Sequence, residues 1–471
     1  MAIFPQASSY TPDPVIFELG PDFYDPVEAA DFPQTILRFR NDRWAATVGL
    51  AGLSDAEWLS HFGRFQPLEG NLPQPLALRY HGHQFRNYNP DIGDGRGFLF
   101  AQMRDGTGKD GGRLMDLGTK GSGQTPYSRF GDGRLTLKGG VREILATEML
   151  EALGVETSKT FSLIETGEAL ERGDEPSPTR SSVLVRLSHG HIRIGTFQRL
   201  ATLRQPENMQ KLVAYCLKYY FSEEPGEDGP ERLLAHVVRG GAKLAASYMA
   251  AGFVHGVLNS DNIAITTESF DYGPWRFTPN WTPGFTAAYF DEAGLYCFAR
   301  QAEAIHWDIA QLAVSLRLIA EAEPLIPLVE SFGEHYRQAY IDAMLARLGV
   351  ASRRMSNDIA LFTAIEEAMR NADIAIDRFF FDWRGGQRRA PSPADALYDT
   401  ESFGKVAEAV APYATEMPAH PYWSDAAPCS MHIEEVEAIW ARIDVADDWQ
   451  PLDDKIAAIR RMGDATREKQ V

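Results

Sequence analysis

The order of hydrophobic periodicities constrains the fold of this chain more than any single motif. Up to about residue 200 the apolar runs are short and strand-like. "RGFLFAQM" and "RLMDLGTK", joined by the polar turn "RDGTGKDGG", predict a hairpin between about 95 and 120. "KTFSLIET" and "SSVLVRLS" predict two more strands, with "RGDEPSPTR" an exposed loop between them. One helix interrupts this pattern at about 138–153. There Val141, Ile144, Leu145, Met149 and Leu153 recur at helical spacing, and Gly154 is a stop. Beyond 205 the periodicity is helical, at about 208–221, 231–252, 299–322, 325–348 and 355–375. The order predicts an α+β fold of two lobes. Residues 1–70, rich in Pro, Asp and aromatics, read as an irregular N-terminal arm with one helix near "SDAEWLSHFGRF". Residues 71–200 read as a strand-rich N-lobe and 201–471 as a helical C-lobe with a C-terminal extension. The last ninety residues, Pro- and Trp-rich, read as irregular up to a short helix near 452–462.

Charge narrows the function. A net charge of −19 argues against nucleic-acid binding. Residues 71–200 nevertheless carry 17 Lys/Arg against 15 Asp/Glu and hold most of the Gly-rich motifs, as a phosphate site inside an acidic protein would. No apolar run reaches the roughly 18 residues of a membrane helix. The N-terminus shows no secretory pattern. Cys216, Cys297 and Cys429 lie far apart, without metal-ligand spacing, and fit free thiols in a reducing compartment. The expectation is a cytoplasmic protein with no membrane or nucleic-acid partner. Its oligomeric state is open.

"HGVLNSDNIAITTESFDYG", His255 to Gly273, nearly fits the protein-kinase pattern H-R-D-L-x-x-x-N followed by D-F-G. Asn262 lies seven residues after His255, and Asp271-Tyr272-Gly273 stands in for D-F-G. Val257 occupies the place of the catalytic Asp. Three other pieces stand in kinase order. "GDGR" supplies Gly93, Gly95 and Arg96, a tight turn able to present N–H groups to phosphate. Lys120 ends a strand and can hold phosphates as a point charge. Glu143, 23 residues on, sits early in the following helix, where a kinase keeps the Glu that orients that lysine. Asn262 and Asp271 offer the oxygen ligands Mg²⁺ prefers. Singly, each is an ordinary turn, surface or helix-start residue. Together they predict a kinase-like nucleotide and Mg²⁺ site. Asp261, beside Asn262, is a displaced candidate base. Arg186 and Arg193 add two guanidinium forks suited to phosphate, which an ordinary kinase does not need there. Spacing leaves open which phosphorus is attacked.

The blocks "GDGR", "KGSGQTPYSRFGDGR", "REILATEML", "LVRLSHGHIRIG" and "HGVLNSDN…DYGP" resemble the selenoprotein O family, known in bacteria as YdiU, over roughly residues 75–320. The resemblance implies a pseudokinase fold that binds ATP flipped relative to kinases. It implies AMP transfer to Ser, Thr or Tyr hydroxyls of proteins, self-modification included, with pyrophosphate leaving. UMP transfer from UTP, with Mn²⁺ in place of Mg²⁺, is the variant it allows. Carried onto matching positions, Gly93, Gly95, Arg96, Asp132 and Gly133 line the nucleotide. Lys120, paired with Glu143, contacts phosphate, and Arg186 and Arg193 hold the far phosphates. Asp261 accepts the proton, and Asn262 and Asp271 bind metal, with Asp271 also at the nucleotide. The chain departs from members that end in a redox-active selenocysteine or cysteine: it ends "ATREKQV", with no cysteine after Cys429. The "GDEPSPTR" loop is longer than the resemblance implies. Two other readings stand beside this one: a conventional phosphotransferase, and a non-catalytic nucleotide-binding scaffold in which Val257 marks lost activity.

Overall fold

A computed structural model describes residues 9–106, 111–173, 175–416 and 419–467. Residues 107–110 of the hairpin turn, residue 174 of the "RGDEPSPTR" loop and the last four residues of "ATREKQV" lie outside the described residues. The first part of the chain runs β1 (Tyr24–Pro26), β2 (Ile36–Arg40), α1 (Asp42–Thr47), α2 (Asp55–Phe62), β3 (Leu76–Leu78), β4 (Gly82–Gln84), β5 (Asn87–Asn89), β6 (Leu99–Arg104), β7 (Leu114–Lys120), β8 (Leu135–Thr136), α3 (Leu137–Ala152), β9 (Lys159–Leu170) and β10 (Thr179–Ser188). The second runs α4 (Ile194–Thr202), α5 (Pro206–Tyr220), α6 (Gly229–Ala251), β11 (Phe253–Val254), β12 (Arg276–Phe277), α7 (Gln301–Leu316), α8 (Ala322–Glu330), α9 (Phe332–Leu348), α10 (Met355–Arg370), α11 (Ile376–Asp382), α12 (Asp395–Tyr398), α13 (Glu401–Val410), α14 (Ile433–Ala446) and α15 (Gln450–Arg467). A strand-rich part with one long helix therefore precedes a helical part. This is the α+β, kinase-like order the periodicities predict.

Eight strands form one antiparallel sheet in the order β1-β3-β6-β7-β10-β9-β2, with β8 against β10. Lys120 pairs with Leu184 and Gly118 with Arg186 across β7 and β10. Side chains two apart on a strand share a face, so Lys120 and Arg186 project to the same side. Helix α3 packs on the sheet through Val141, Ile144, Leu145 and Met149, all buried. Thr136 caps its start, Oγ1 accepting from Gly139 N–H at 3.1 Å. Gly140 allows the close approach: a Cβ there would lie 2.3 Å from Leu163 Cδ1. Glu143 follows three residues later, almost one turn on and on the same side of the helix.

The N-terminal segment is more integrated than an irregular arm. Its strands β1 and β2 close the two ends of the sheet path, pairing with β3 and β9. Helix α2 covers the face away from α3, while α1 reaches α3 itself, Arg43 Nη2 and Trp44 Nε1 donating to Glu151 Oε2 at 2.9 and 3.0 Å. Trp58 stacks on Phe161 at 4.9 Å and donates to Ser162 Oγ at 2.9 Å. Buried Phe62 meets Phe100 edge-on.

The C-terminal ninety residues also differ from the irregular reading. They contain α12 to α15 and part of α11. Helices α14 and α15 lie against α3 through Lys138–Glu437 at 2.7 Å and Arg460–Glu148 at 2.6 Å. The helix expected at 299–322 ends at Leu316. The one expected at 325–348 is two, α8 and α9, divided at Ser331. The three cysteines are free thiols. No helix among the described residues is long and apolar enough to cross a membrane.

Candidate active site

A cleft of about 690 Å³ opens between the sheet and the helical part. Its deep end is built by strand β7, strand β10 and the loops after β11. Buried Lys120 is ion-paired with Glu143 of α3 and lies 2.9 Å from Asp271 Oδ1. Arg186 Nη1 is 3.6 Å from the same oxygen, and Arg193 Nη1 is 3.5 Å from Asp271 Oδ2. One carboxylate thus faces three buried cations. Burial pushes Asp271 up, but Lys120, Arg186 and Arg193 outweigh it and hold the carboxyl well below the usual range. Asp271 has φ +64, an unfavourable value for a residue with a Cβ.

The two arginines are poised for something anionic. Arg186 Nε and Nη1 and Arg193 Nε are buried without a hydrogen-bond partner. Orphaned buried donors are costly, more so when charged. Arg193 is otherwise fixed: it donates to the Asp261 carbonyl at 2.9 Å and to Asp94 Oδ1 at 3.3 Å. Its guanidinium sits 4.5 Å from the Tyr80 ring centre and 4.8 Å from that of Phe270, which also lies 5.2 Å from Arg186.

The 255–271 stretch is held from several sides. Gly252 ends α6 at φ +69, and the chain re-enters as β11. His255 Nε2 bonds to the Phe270 carbonyl at 3.0 Å, tying the two ends of the stretch together. Ile194 N–H donates to Ile263 O at 3.0 Å and Ile265 N–H to Ile192 O at 2.9 Å, which brings Arg193 beside Asp261. Hairpin β4–β5 covers the same loop. His83 N–H donates to Ser260 Oγ at 2.7 Å and Phe85 N–H to Asn259 Oδ1 at 3.0 Å. Asp261 is 7% exposed, and its Oδ1 is buried without a hydrogen-bond partner. Burial raises its pKa, Arg193 partly offsets that, and the result is about 6. A carboxylate with a free oxygen and that pKa is suited to taking a proton near neutral pH. Asn262 spends its Nδ2–H on Val257 O at 3.0 Å, leaving Oδ1 as the atom able to bind a cation. Among the described residues no group of three or more His, Cys, Asp or Glu is placed to hold a metal. An Asn oxygen plus an ionised Asp instead fits the few hard ligands that Mg²⁺ or Mn²⁺ takes beside nucleotide phosphates.

The outer end is the turn 93–97 facing the loop 127–134, with Glu171 and Arg172. Gly93 is required for space: a Cβ would lie 2.5 Å from Tyr127 Cγ. Gly133 has φ +71 and a Cβ there would strike Gly123. Gly95 and Arg96 line the cleft, Arg96 exposed. Asp132 lines it too, paired with Arg172 at 2.8 Å.

Lys120, Arg186, Arg193, Asp261, Asp271, Gly93, Gly95, Arg96, Asp132 and Gly133 therefore share one cleft. Glu143 stands behind Lys120, and Asn262 beside Asp261, neither on the cleft wall. Sequence reasoning missed Asp94, Tyr80 and Phe270, which fix the arginines. Asp94 had a signal, as the acid inside the first "GDGR"; the two rings had none.

A family model described as protein adenylyltransferase SelO matches residues 6–460. Relatives named protein nucleotidyltransferase YdiU agree along the chain. That of Trichormus variabilis is 40% identical, with 96% of each chain covered. That of Gloeobacter violaceus is 43% identical, with 95% of each covered. That of Synechococcus elongatus is 48% identical over 78% of this chain and 74% of its own. Among solved structures, ROP2 from Toxoplasma gondii, described as a virulence factor with a protein-kinase fold and no enzymatic activity, is 10% identical. It covers 71% of this chain and 94% of its own at a TM-score of 0.27, too low to carry an argument. With the matched model spanning nearly the whole chain, and relatives alike from end to end, the chain belongs to the SelO family and is a nucleotidyltransferase.

Proposed function

We propose that the protein transfers AMP from ATP to Ser, Thr or Tyr hydroxyls of proteins, with UMP from UTP as the variant, and that the reaction requires Mg²⁺ or Mn²⁺. One observation carries this reading: the deep end leaves guanidinium donors of Arg186 and Arg193 unpartnered, beside a carboxylate oxygen of Asp261 also unpartnered. Donors without acceptors suit phosphate oxygens, and an acceptor without a donor suits an incoming hydroxyl.

Arg186 and Arg193 would bind the β- and γ-phosphates, with Lys120 on the phosphates held in place by Glu143. The α-phosphorus then faces Asp261. Asp261 takes the acceptor's hydroxyl proton as that oxygen bonds to the α-phosphorus. The bond from the α-phosphorus to the bridging oxygen breaks, and pyrophosphate leaves with the electron pair, its charge met by the two arginines. Asn262 and Asp271 would hold the divalent ion, which when bound neutralises phosphate charge. The second "GDGR", with Asp132 and Gly133, and the first, with Gly93, Gly95 and Arg96, would line the nucleoside. The net charge of −19 supports a partner other than nucleic acid.

Intact-mass analysis after incubation with ATP and Mg²⁺ or Mn²⁺, alone and with candidate acceptor proteins, tests the reading. An AMP adduct is expected. A phosphate adduct would make the protein a conventional phosphotransferase, and ATP binding with no adduct on any protein would make it a scaffold.

A further inference from the structure

We propose that the Phe130 ring is the platform on which the nucleotide base stacks, and that it favours a purine over a pyrimidine. The inference rests on the nucleotidyl-transfer reading and adds a base-recognition residue to it. The cleft has two chemically different ends. Lys120, Arg186 and Arg193 are buried at one, while Arg129, Phe130, Gly131 and Asp132 are exposed at the other. A nucleoside triphosphate is likewise two-ended, an anionic tail and an aromatic head. The unpartnered guanidinium donors fix the tail at the deep end. The head then lies at the mouth.

Among the described residues three aromatic side chains line the cleft. Tyr80 is buried against Arg193. Tyr127 has its hydroxyl bonded to Asp25 and its ring against Gly93. Phe130 alone stands free, 107% exposed and touching no other ring. A wholly exposed Phe contributes nothing to the fold, yet the loop that carries it is firmly built. Ser128 N–H donates to Thr125 O at 3.1 Å, Gly131 N–H to Ser128 O at 2.7 Å and Gln124 Nε2 to Gly131 O at 2.8 Å. Thr125 and Ser128 side chains bond to the carbonyls of Asp94 and Gly95, lacing the loop to the glycine turn opposite. Arg129, immediately before the ring, has φ +52, a strained value of the kind found at ligand sites. The fold thus holds an apolar ring out in solvent where a base would arrive. Aromatic stacking on a base is worth roughly tenfold in affinity, and more for the larger purine surface.

The test uses the full-length protein, calorimetry with Mg²⁺, and three ligands: ATP, UTP and inorganic tripolyphosphate. Phe130→Ala is expected to weaken ATP about tenfold, UTP less, and tripolyphosphate not at all; Phe130→Trp should restore ATP. Unchanged ATP affinity in Phe130→Ala overturns the inference, as does an equal loss for ATP and tripolyphosphate, which would mean a structural role. A raised KM for the protein acceptor with ATP affinity unchanged would assign the ring to acceptor docking instead. AMP-adduct formation by the wild-type protein is read separately, so failure of the transfer reading is distinguishable from failure of this one.

Discussion

Asp261→Asn should lower nucleotidyl transfer by about 10²–10⁴-fold, the usual range for removing a general base, while leaving ATP affinity unchanged. The substitution keeps the shape of the side chain and removes the charge of a buried carboxylate whose Oδ1 has no hydrogen-bond partner among the described residues. In the wild type, transfer should rise with pH and level off above about 6, where Asp261 is ionised. The same group carries a stability cost of known sign. Its folded pKa lies above the ordinary carboxylate value, so the fold favours the protonated form. That stability is present below about pH 4 and is lost as pH rises through about 6. At pH 7.5 the Asn variant should therefore melt above the wild type, gaining up to about 3 kcal/mol. A variant that stays active, or that loses ATP binding, would remove Asp261 from its role.

Asp271→Asn should have the opposite effect on stability and a different effect on binding. Asn tolerates the φ of +64 at this position, so the backbone is spared. What is lost is the one carboxylate that faces Lys120, Arg186 and Arg193. Lys120 keeps Glu143 and Arg193 keeps Asp94, so Arg186 is the cation left without a carboxylate among the described residues, and breaking that buried pair costs about 3 kcal/mol or more. Asp271's folded pKa is depressed, so its contribution is present above the unfolded value and lost as pH falls through the folded one. Urea melts at neutral pH should show the loss, and melts in acid should show the two proteins converging. Calorimetry with ATP should show that Mg²⁺ strengthens wild-type binding and no longer strengthens that of the variant. An equal gain from Mg²⁺ in both would take Asp271 off the metal.

The parts of the fold that depend on local pattern were legible in the sequence. Helix α3, with its apolar stripe from Val141 to Met149, falls at 137–152 against an expected 138–153. The α5 and α6 stripes are placed equally well. The parts that depend on distant pairing were not. Strand β1 has three residues, and β2 has five, all half-buried. Neither shows alternation, and their partners β3 and β9 lie about 50 and 125 residues further on. The C-terminal helices were legible in part: α15 was expected at 452–462, and α14 carries a helical stripe of Val436, Ile439, Trp440 and Ile443. The short α11 buries Phe379, Phe380 and Phe381 in a row, and α12 has four residues, too few to show a period. For the cleft, the charged and glycine residues that line it could be read because the phosphate chemistry proposed for it calls for such residues. The rings of Tyr80 and Phe270 could not, since an aromatic in a sequence looks the same whether it fills a core or supports a guanidinium.

The central claim is that the α-phosphorus is the one attacked. ATP labelled at the α-phosphate and ATP labelled at the γ-phosphate, each incubated with the protein, divalent metal and acceptor proteins, test it directly. The cleft predicts label on protein from the α position only, with labelled pyrophosphate released from the γ position. Label on protein from the γ position alone would contradict the account.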